Sequence, residues 1–184
     1  MDLPTKRRQL HISYPNGLRI WANDWVGGDG PGSIWTVRVD DVTYEIPPAG
    51  WLAVQGSSFV AFSATVEGHK VDFLRDIGES HGQGPLMYVD GRGNQTQFPE
   101  AKAKGAIAVR LVNQSIVEVI DISGGDGFGL NHPLGVEGIP IKCEVFDIKG
   151  NPLGTTEVQQ EQNYYWIVAK PDGHLYMISF NGGR

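Results

Sequence analysis

Helical periodicity is almost absent from this chain of 184 residues, and that absence bounds the fold before any motif does. An intrachain disulfide is excluded as well, because Cys143 is the one cysteine. It alternates with Ile141 and Val145, with Phe146 out of phase, so it reads as a buried, inert thiol in a strand. Positive charge is scarce. The formal net charge is −6, which argues against a nucleic-acid partner, since such modules carry a basic face. The one basic cluster, Lys6-Arg7-Arg8, reads as a solubilising run in a frayed leader. No apolar run approaches the roughly 18–20 residues needed to span a bilayer, so no membrane partner is expected. The first ten residues, MDLPTKRRQL, hold no apolar h-region of a signal peptide. Nothing in the sequence fixes a compartment.

Catalytic and metal motifs are missing too. His11, His69, His81, His132 and His174 show neither H-x-H nor H-E-x-x-H spacing. Gly56-Ser57-Ser58-Phe59 lacks a nucleophile elbow, and neither Gly-Gly-Asp-Gly run (27–30 and 124–127) opens a helix that could cradle phosphate. Asp90-Gly91-Arg92-Gly93-Asn94 puts Arg92 where a calcium loop needs an oxygen ligand, so it reads as a hairpin tip. No cofactor, metal site or catalytic residue is expected from these patterns.

What is present is strand chemistry. Hydrophobic residues make up 40% and charged residues 20%, the balance of a folded chain, and 25 glycines with 11 prolines supply the punctuation of many short turns. Leu10, Ile12 and Tyr14 alternate, Pro15-Asn16-Gly17 turns, and Leu18, Ile20 and Ala22 alternate back: a hairpin over 9–22. Trp35–Val39, Asp40-Asp41, Val42–Ile46, Pro47-Pro48-Ala49-Gly50 and a strand from Trp51 make three consecutive neighbours. Phe59–Val66 and His69–Leu74 join at Glu67-Gly68; Leu86–Val89 and Gln95–Phe98 flank the Asp90 turn as a hairpin; Ala106–Val112 and Ser115–Ile122 flank Asn113-Gln114. The lone helix candidate is Glu100–Lys104, one turn after Pro99.

These patterns predict an all-β antiparallel sandwich over residues 1–122. A smaller immunoglobulin-like strand set over 139–184 follows, with 123–138 as linker or long loop. The smaller set contains Ile141–Ile148, Thr155–Val158, Tyr164–Ala169 and His174–Phe180, with Lys170-Pro171-Asp172-Gly173 joining the last two. Four strands bury little on their own, so this set is expected to pack on the first or to borrow strands 106–122.

Function must then come from loops and exposed aromatics. An exposed ring can stack on the apolar face of a pyranose while neighbouring Asn, Asp and Gln bond its hydroxyls. Trp25, between Asn23-Asp24 and Val26-Gly27, has the required polar surroundings; as a plainer role it could anchor its loop against the sandwich end. Trp35 and Trp51 alternate with apolar residues and read as core. In Tyr164-Tyr165-Trp166 the alternation sets Tyr165 against its neighbours, which exposes one aromatic. His81, within Glu79-Ser80-His81-Gly82-Gln83-Gly84, lies in a polar loop where a ligand contact could form, although a plain surface histidine accounts for it as well. The glycan-contact candidates are therefore Trp25, Asn23, Asp24, Tyr165 and His81. A rival reading, a small stand-alone glycosidase, would use the loop carboxylates Asp72, Asp76 and Glu79 with His81. Most other acids sit in turns, where side-chain to backbone hydrogen bonds explain them. A third reading is a structural or assembly domain.

One resemblance sharpens the first reading. The succession Ile12-Ser-Tyr-Pro-Asn-Gly-Leu-Arg-Ile20-Trp-Ala-Asn23, Trp35-Thr-Val37 and Tyr44-Glu-Ile-Pro-Pro-Ala-Gly50-Trp-Leu-Ala53 resembles the β-rich C-terminal region of certain large glycoside hydrolases. Phe62-Ser63-Ala64, Val71-Asp72-Phe73, Tyr88–Gly93 and Gly105–Val109 continue the pattern, so it covers roughly 9–112. It implies a module that scaffolds a catalytic barrel and sometimes binds sugar. Its partners would be a glycan or polysaccharide and the catalytic domain of a parent glycosidase. No catalytic position is implied, because the shared motifs are turns and the (β/α)₈ barrel, about 250 residues, is not in this chain.

Overall fold

The computed structural model describes residues 9–24, 33–78, 84–123 and 125–181, and they form antiparallel β-structure almost throughout. The chain divides into two compact units, Met1–Asp76 and Ile77–Arg184.

In the first unit β1 (Gln9–Ser13), β2 (Leu18–Asn23), β5 (Gly50–Gln55), β6 (Phe59–Val66) and β7 (His69–Asp76) pair in that order. The hairpin over 9–22 forms as the alternation predicts: Gly17 takes φ 85° and its N–H donates to Tyr14 O at 3.0 Å. β3 (Trp35–Val39) and β4 (Val42–Ile46) form a ribbon joined to β6 through Glu45 and Thr65. Cross-strand partners Trp21, Leu52, Phe62 and Phe73 share one sheet face and are all buried. Phe62 stacks on Phe73 at 5.2 Å and meets Tyr44 of β4 edge-on at 5.6 Å, so the ribbon covers this face. Each such ring contributes about 1.5–3 kcal/mol when fully enclosed. Gly50 is required where it stands: a Cβ there would meet Ser63 O at 2.7 Å.

Trp51 corrects an expectation. It is 40% exposed, because its cross-strand partners are the small Ala22 and Ser63 on the opposite face from Leu52. Trp35 is half-buried.

The second unit is a two-sheet sandwich. One sheet orders β8 (Leu86–Asp90), β11 (Ala106–Asn113), β12 (Ile116–Asp121), β18 (Leu175–Phe180), β14 (Pro140–Phe146) and β15 (Pro152–Thr155). The other orders β16 (Val158–Glu161), β17 (Tyr164–Val168), β13 (Gly127–Leu130), β10 (Ala101–Ala103) and β9 (Thr96–Gln97). Met87, Val109, Val117, Val119, Tyr176 and Ile178 line the inner face of the first sheet, all fully enclosed. Phe128, Leu130 and Ile167 are the facing residues of the second, and the sheets lock where Phe128 meets Tyr176 edge-on at 5.3 Å.

The domain boundary differs from the sequence reading. Residues 123–138 are no linker: they contain β13 and a 3-10 turn at Pro133–Gly135, and β13 is the middle strand of its sheet. The C-terminal strands do take up 106–122, through the β12–β18 pair. Thr155–Val158 is not a strand: it joins the end of β15 to the start of β16. The chain turns a corner at Thr156-Glu157 and changes sheet, held by Thr156 N–H to Cys143 O (3.1 Å) and Thr156 Oγ1 to Val168 O (2.7 Å). Likewise Lys170–Gly173 crosses between sheets rather than closing a hairpin.

Leu86–Val89 and Gln95–Phe98 do not pair with one another. β8 pairs with β11 and β9 with β10, so the Asp90–Asn94 turn is also a crossing between sheets. The helix candidate Glu100–Lys104 is β10: Ala101 and Ala103 point inward at 0% and 1% exposure, a period of two that the helix-forming composition masked. Ile141, expected inward with Cys143, is 66% exposed because the register shifts between Pro140 and Lys142. Cys143 itself is free and buried, and burial, with Glu144 adjoining, pushes its thiol up to about 12.

Candidate functional site

The hairpin of β16 and β17 carries the run Gln159-Gln160-Glu161-Gln162-Asn163-Tyr164-Tyr165-Trp166. Its two-residue connection, Gln162-Asn163, is tight enough that Gln162 adopts φ 49°. Beside it, β13 ends at Leu130, opposite Tyr165, and the chain turns through Asn131 and His132. His132 takes φ 45° and Leu134 φ 55°, both left-handed and neither glycine. Glu100 fixes that turn: its Oε2 accepts from Leu134 N–H at 2.6 Å, and its carbonyl accepts from Asn131 N–H at 3.0 Å. Non-glycine residues persist in this conformation only when the surroundings hold them, and such strain gathers at ligand sites.

The two turns enclose a hollow of about 330 Å³. Asn131, His132, Gln160, Gln162, Asn163 and Tyr165 line it. Tyr164 borders it and is 7% exposed. The Tyr164 hydroxyl donates to Phe98 O at 2.8 Å and bonds the Gln97 side chain; burial pushes its pKa up, and the Gln97 bond opposes that. A second depression, lined by Gln97, Phe98 and Pro99, adjoins at Asn131, Asn163 and Tyr164. The walls therefore present amide donors and acceptors beside one half-exposed tyrosine ring, with no carboxylate among the lining side chains. Amides can bond neutral hydroxyls as donors and as acceptors, and the ring supplies an apolar surface.

Of the five contacts expected from sequence, Tyr165 lies in this hollow. Asn23 and Asp24 belong to the first unit. Asn23 is 1% exposed, and its amide donates to Ser33 O (2.7 Å) and Ile46 O (2.8 Å), tying β2 to β4; its Oδ1 is buried without a hydrogen-bond partner. That is a structural role. Asp24 is exposed. Trp25 and His81 lie outside the described residues.

Of the carboxylates in the glycosidase reading, Glu79 is likewise outside the described residues. Asp72 and Asp76 are both on β7 and four residues apart, about 13 Å along a strand. Paired glycosidase acids stand about 5–9.5 Å apart. Among the described residues no three His, Cys, Asp or Glu side chains gather as a metal would need.

Asn131, His132, Gln160, Gln162 and Asn163 were not singled out from sequence. The amide-and-aromatic run at 159–166 is the signal that could have found three of them. Compared with family models, curated proteins and solved structures, the chain matches none.

Proposed function

We propose that this chain is a non-catalytic accessory β-sandwich of a carbohydrate-active enzyme, binding glycan weakly and scaffolding a catalytic domain. The observation that carries the reading is the hollow at the end of the β16–β17 hairpin, lined by Asn131, Gln160, Gln162 and Asn163 together with Tyr165. Hydroxyl-rich, uncharged ligands suit walls made of amides, and a ring face favours the CH groups of a pyranose. Backbone strain at His132 and Leu134, held by Glu100, supports a site held in advance of its ligand. Affinity electrophoresis through gels containing a panel of polysaccharides tests this. Retardation is expected on at least one, reduced in Tyr165→Ala and Asn163→Ala. Equal mobility in every gel refutes glycan binding.

A second reading, docking on a partner domain without any glycan, has its own support. Ile139 and Ile141 are 54% and 66% exposed on and beside β14, and Ile148 is 77% exposed beyond it. Sedimentation velocity of the isolated chain and of its mixture with a catalytic barrel would separate the readings. A complex formed without any polysaccharide affinity favours docking alone.

A further inference from the structure

The outer face of the five-stranded sheet carries a feature that the hollow does not use. β13 reads Gly127-Phe128-Gly129-Leu130, and Phe128 and Leu130 point into the sandwich at 1% and 0% exposure. Both glycines therefore face outward. Glycine weakens a strand and marks places where another group comes close to the backbone. A Gly127 Cβ would overlap Ile167 O and lie 3.0 Å from Trp166 Nε1 and 3.1 Å from its Cε2; a Gly129 Cβ would lie 3.2 Å from Lys102 Cβ, 3.4 Å from Tyr164 Cβ and 3.5 Å from Trp166 Cε3. The indole thus lies across the row that the two glycines leave bare.

Its neighbours follow from the register. Gln159 and Gly129 flank Trp166, Lys102 lies beyond Gly129, and Gln97 beyond Lys102. Lys102 Nζ is 5.9 Å from the indole centroid and 3.7 Å from Glu161 Oε2, so its charge is balanced locally. Trp166 and Lys102 are half-buried, while Gln159 and Gln97 are exposed. Tyr164, two residues from Trp166 on the same strand, borders the hollow.

We infer that this row is a stacking shelf for an uncharged pyranose chain, continuous with the hollow across Tyr164. The inference rests on the glycan-binding reading and extends it. The indole offers the flat apolar surface for one ring, the amide of Gln159 stands beside it to bond hydroxyls, and Gln97, bonded to the Tyr164 hydroxyl, stands at the far end of the row. Glu161 already balances Lys102 beside the shelf, which favours a neutral chain over a uronate.

The test is affinity electrophoresis of the full chain in neutral β-1,4-linked polysaccharides (xylan, glucomannan) and in polygalacturonate, followed by titration of tryptophan fluorescence. The shelf requires wild-type retardation in a neutral gel and a ~10-fold or greater loss of affinity in Trp166→Ala, the mark of a central aromatic anchor. Trp166→Phe, which keeps a ring, should retain part of the affinity. Each variant is melted by circular dichroism to show that it is folded. If Trp166→Ala matches wild type while Tyr165→Ala loses binding, the shelf falls and the module reading stands. If wild type binds no polysaccharide, both fall. Binding to polygalacturonate alone overturns the neutral-chain assignment.

Discussion

Raising the pH should destabilise the second unit through one buried thiol. Cys143 is 1% exposed on β14, and burial, followed by the nearby Glu144 charge, moves its pKa from 9.0 to about 12. The sign follows from which state loses its proton first. Below pH 9 the thiol is neutral in both states and its stabilising effect is complete. Above that the unfolded chain ionises while the folded one does not, so stability falls as pH climbs towards about 12. At roughly 1.4 kcal/mol per unit, about three units of displacement correspond to a loss of about 4 kcal/mol, and about 3 kcal/mol of it is reached by pH 11. Cys143→Val, close in volume and suited to a strand, removes the titration. Urea unfolding of both proteins at pH 8, 9.5 and 11 is the assay. The difference between them cancels the lysines and tyrosines common to both. A gap that widens in favour of Cys143→Val with pH supports the reasoning. A constant gap, or rapid reaction of the native thiol with a disulfide reagent at pH 8, refutes it.

Other consequences concern packing and the hollow. Tyr176→Ala should cost about 3–5 kcal/mol in urea unfolding, because Tyr176 is fully enclosed against Phe128 and its hydroxyl accepts from Lys170 N–H at 3.1 Å. Tyr176→Phe should cost about 1–2 kcal/mol, since only that acceptor is lost. Gly138→Ala should lower the melting temperature sharply: φ is +106° and a Cβ would overlap Asn181 O, whereas Gly150→Ala, with open space around it, should cost much less. Glu100→Gln weakens the carboxylate bond to Leu134 N–H that holds the His132 turn, so glycan affinity should fall several-fold with little change in unfolding midpoint; unchanged affinity would show the turn to be irrelevant.

The hairpins β1–β2, β3–β4 and β6–β7 were legible in sequence because each needs only alternation and a turn residue nearby, whereas β4, expected beside the strand from Trp51, pairs with β6 instead. Leu18, Ile20 and Ala22 count as clearly in the sequence as they pair in the sheet. What sequence hid was long-range pairing. Asp90–Asn94 carries hairpin chemistry, yet its flanking strands find partners in different sheets, a choice made by the sandwich core and not by the turn. Ala101 and Ala103 read as helix formers until burial against the core decides their period. A single shift of register sends Ile141 to solvent, and no local pattern marks that shift. The site divides in the same way. Tyr165 was visible from alternation, whereas Asn131 and His132 reach it only because β13 pairs with β17, which sets Leu130 opposite Tyr165 far along the chain.

The most direct measurement is a two-dimensional NMR titration of this 20.1 kDa chain with a neutral oligosaccharide drawn from whichever polysaccharide retards it. Saturable shift changes are expected at Asn131, His132, Gln160–Tyr165 and the Trp166 indole N–H, with the first unit silent. Shift changes confined to the first unit, or none at millimolar ligand, would contradict glycan binding at this site.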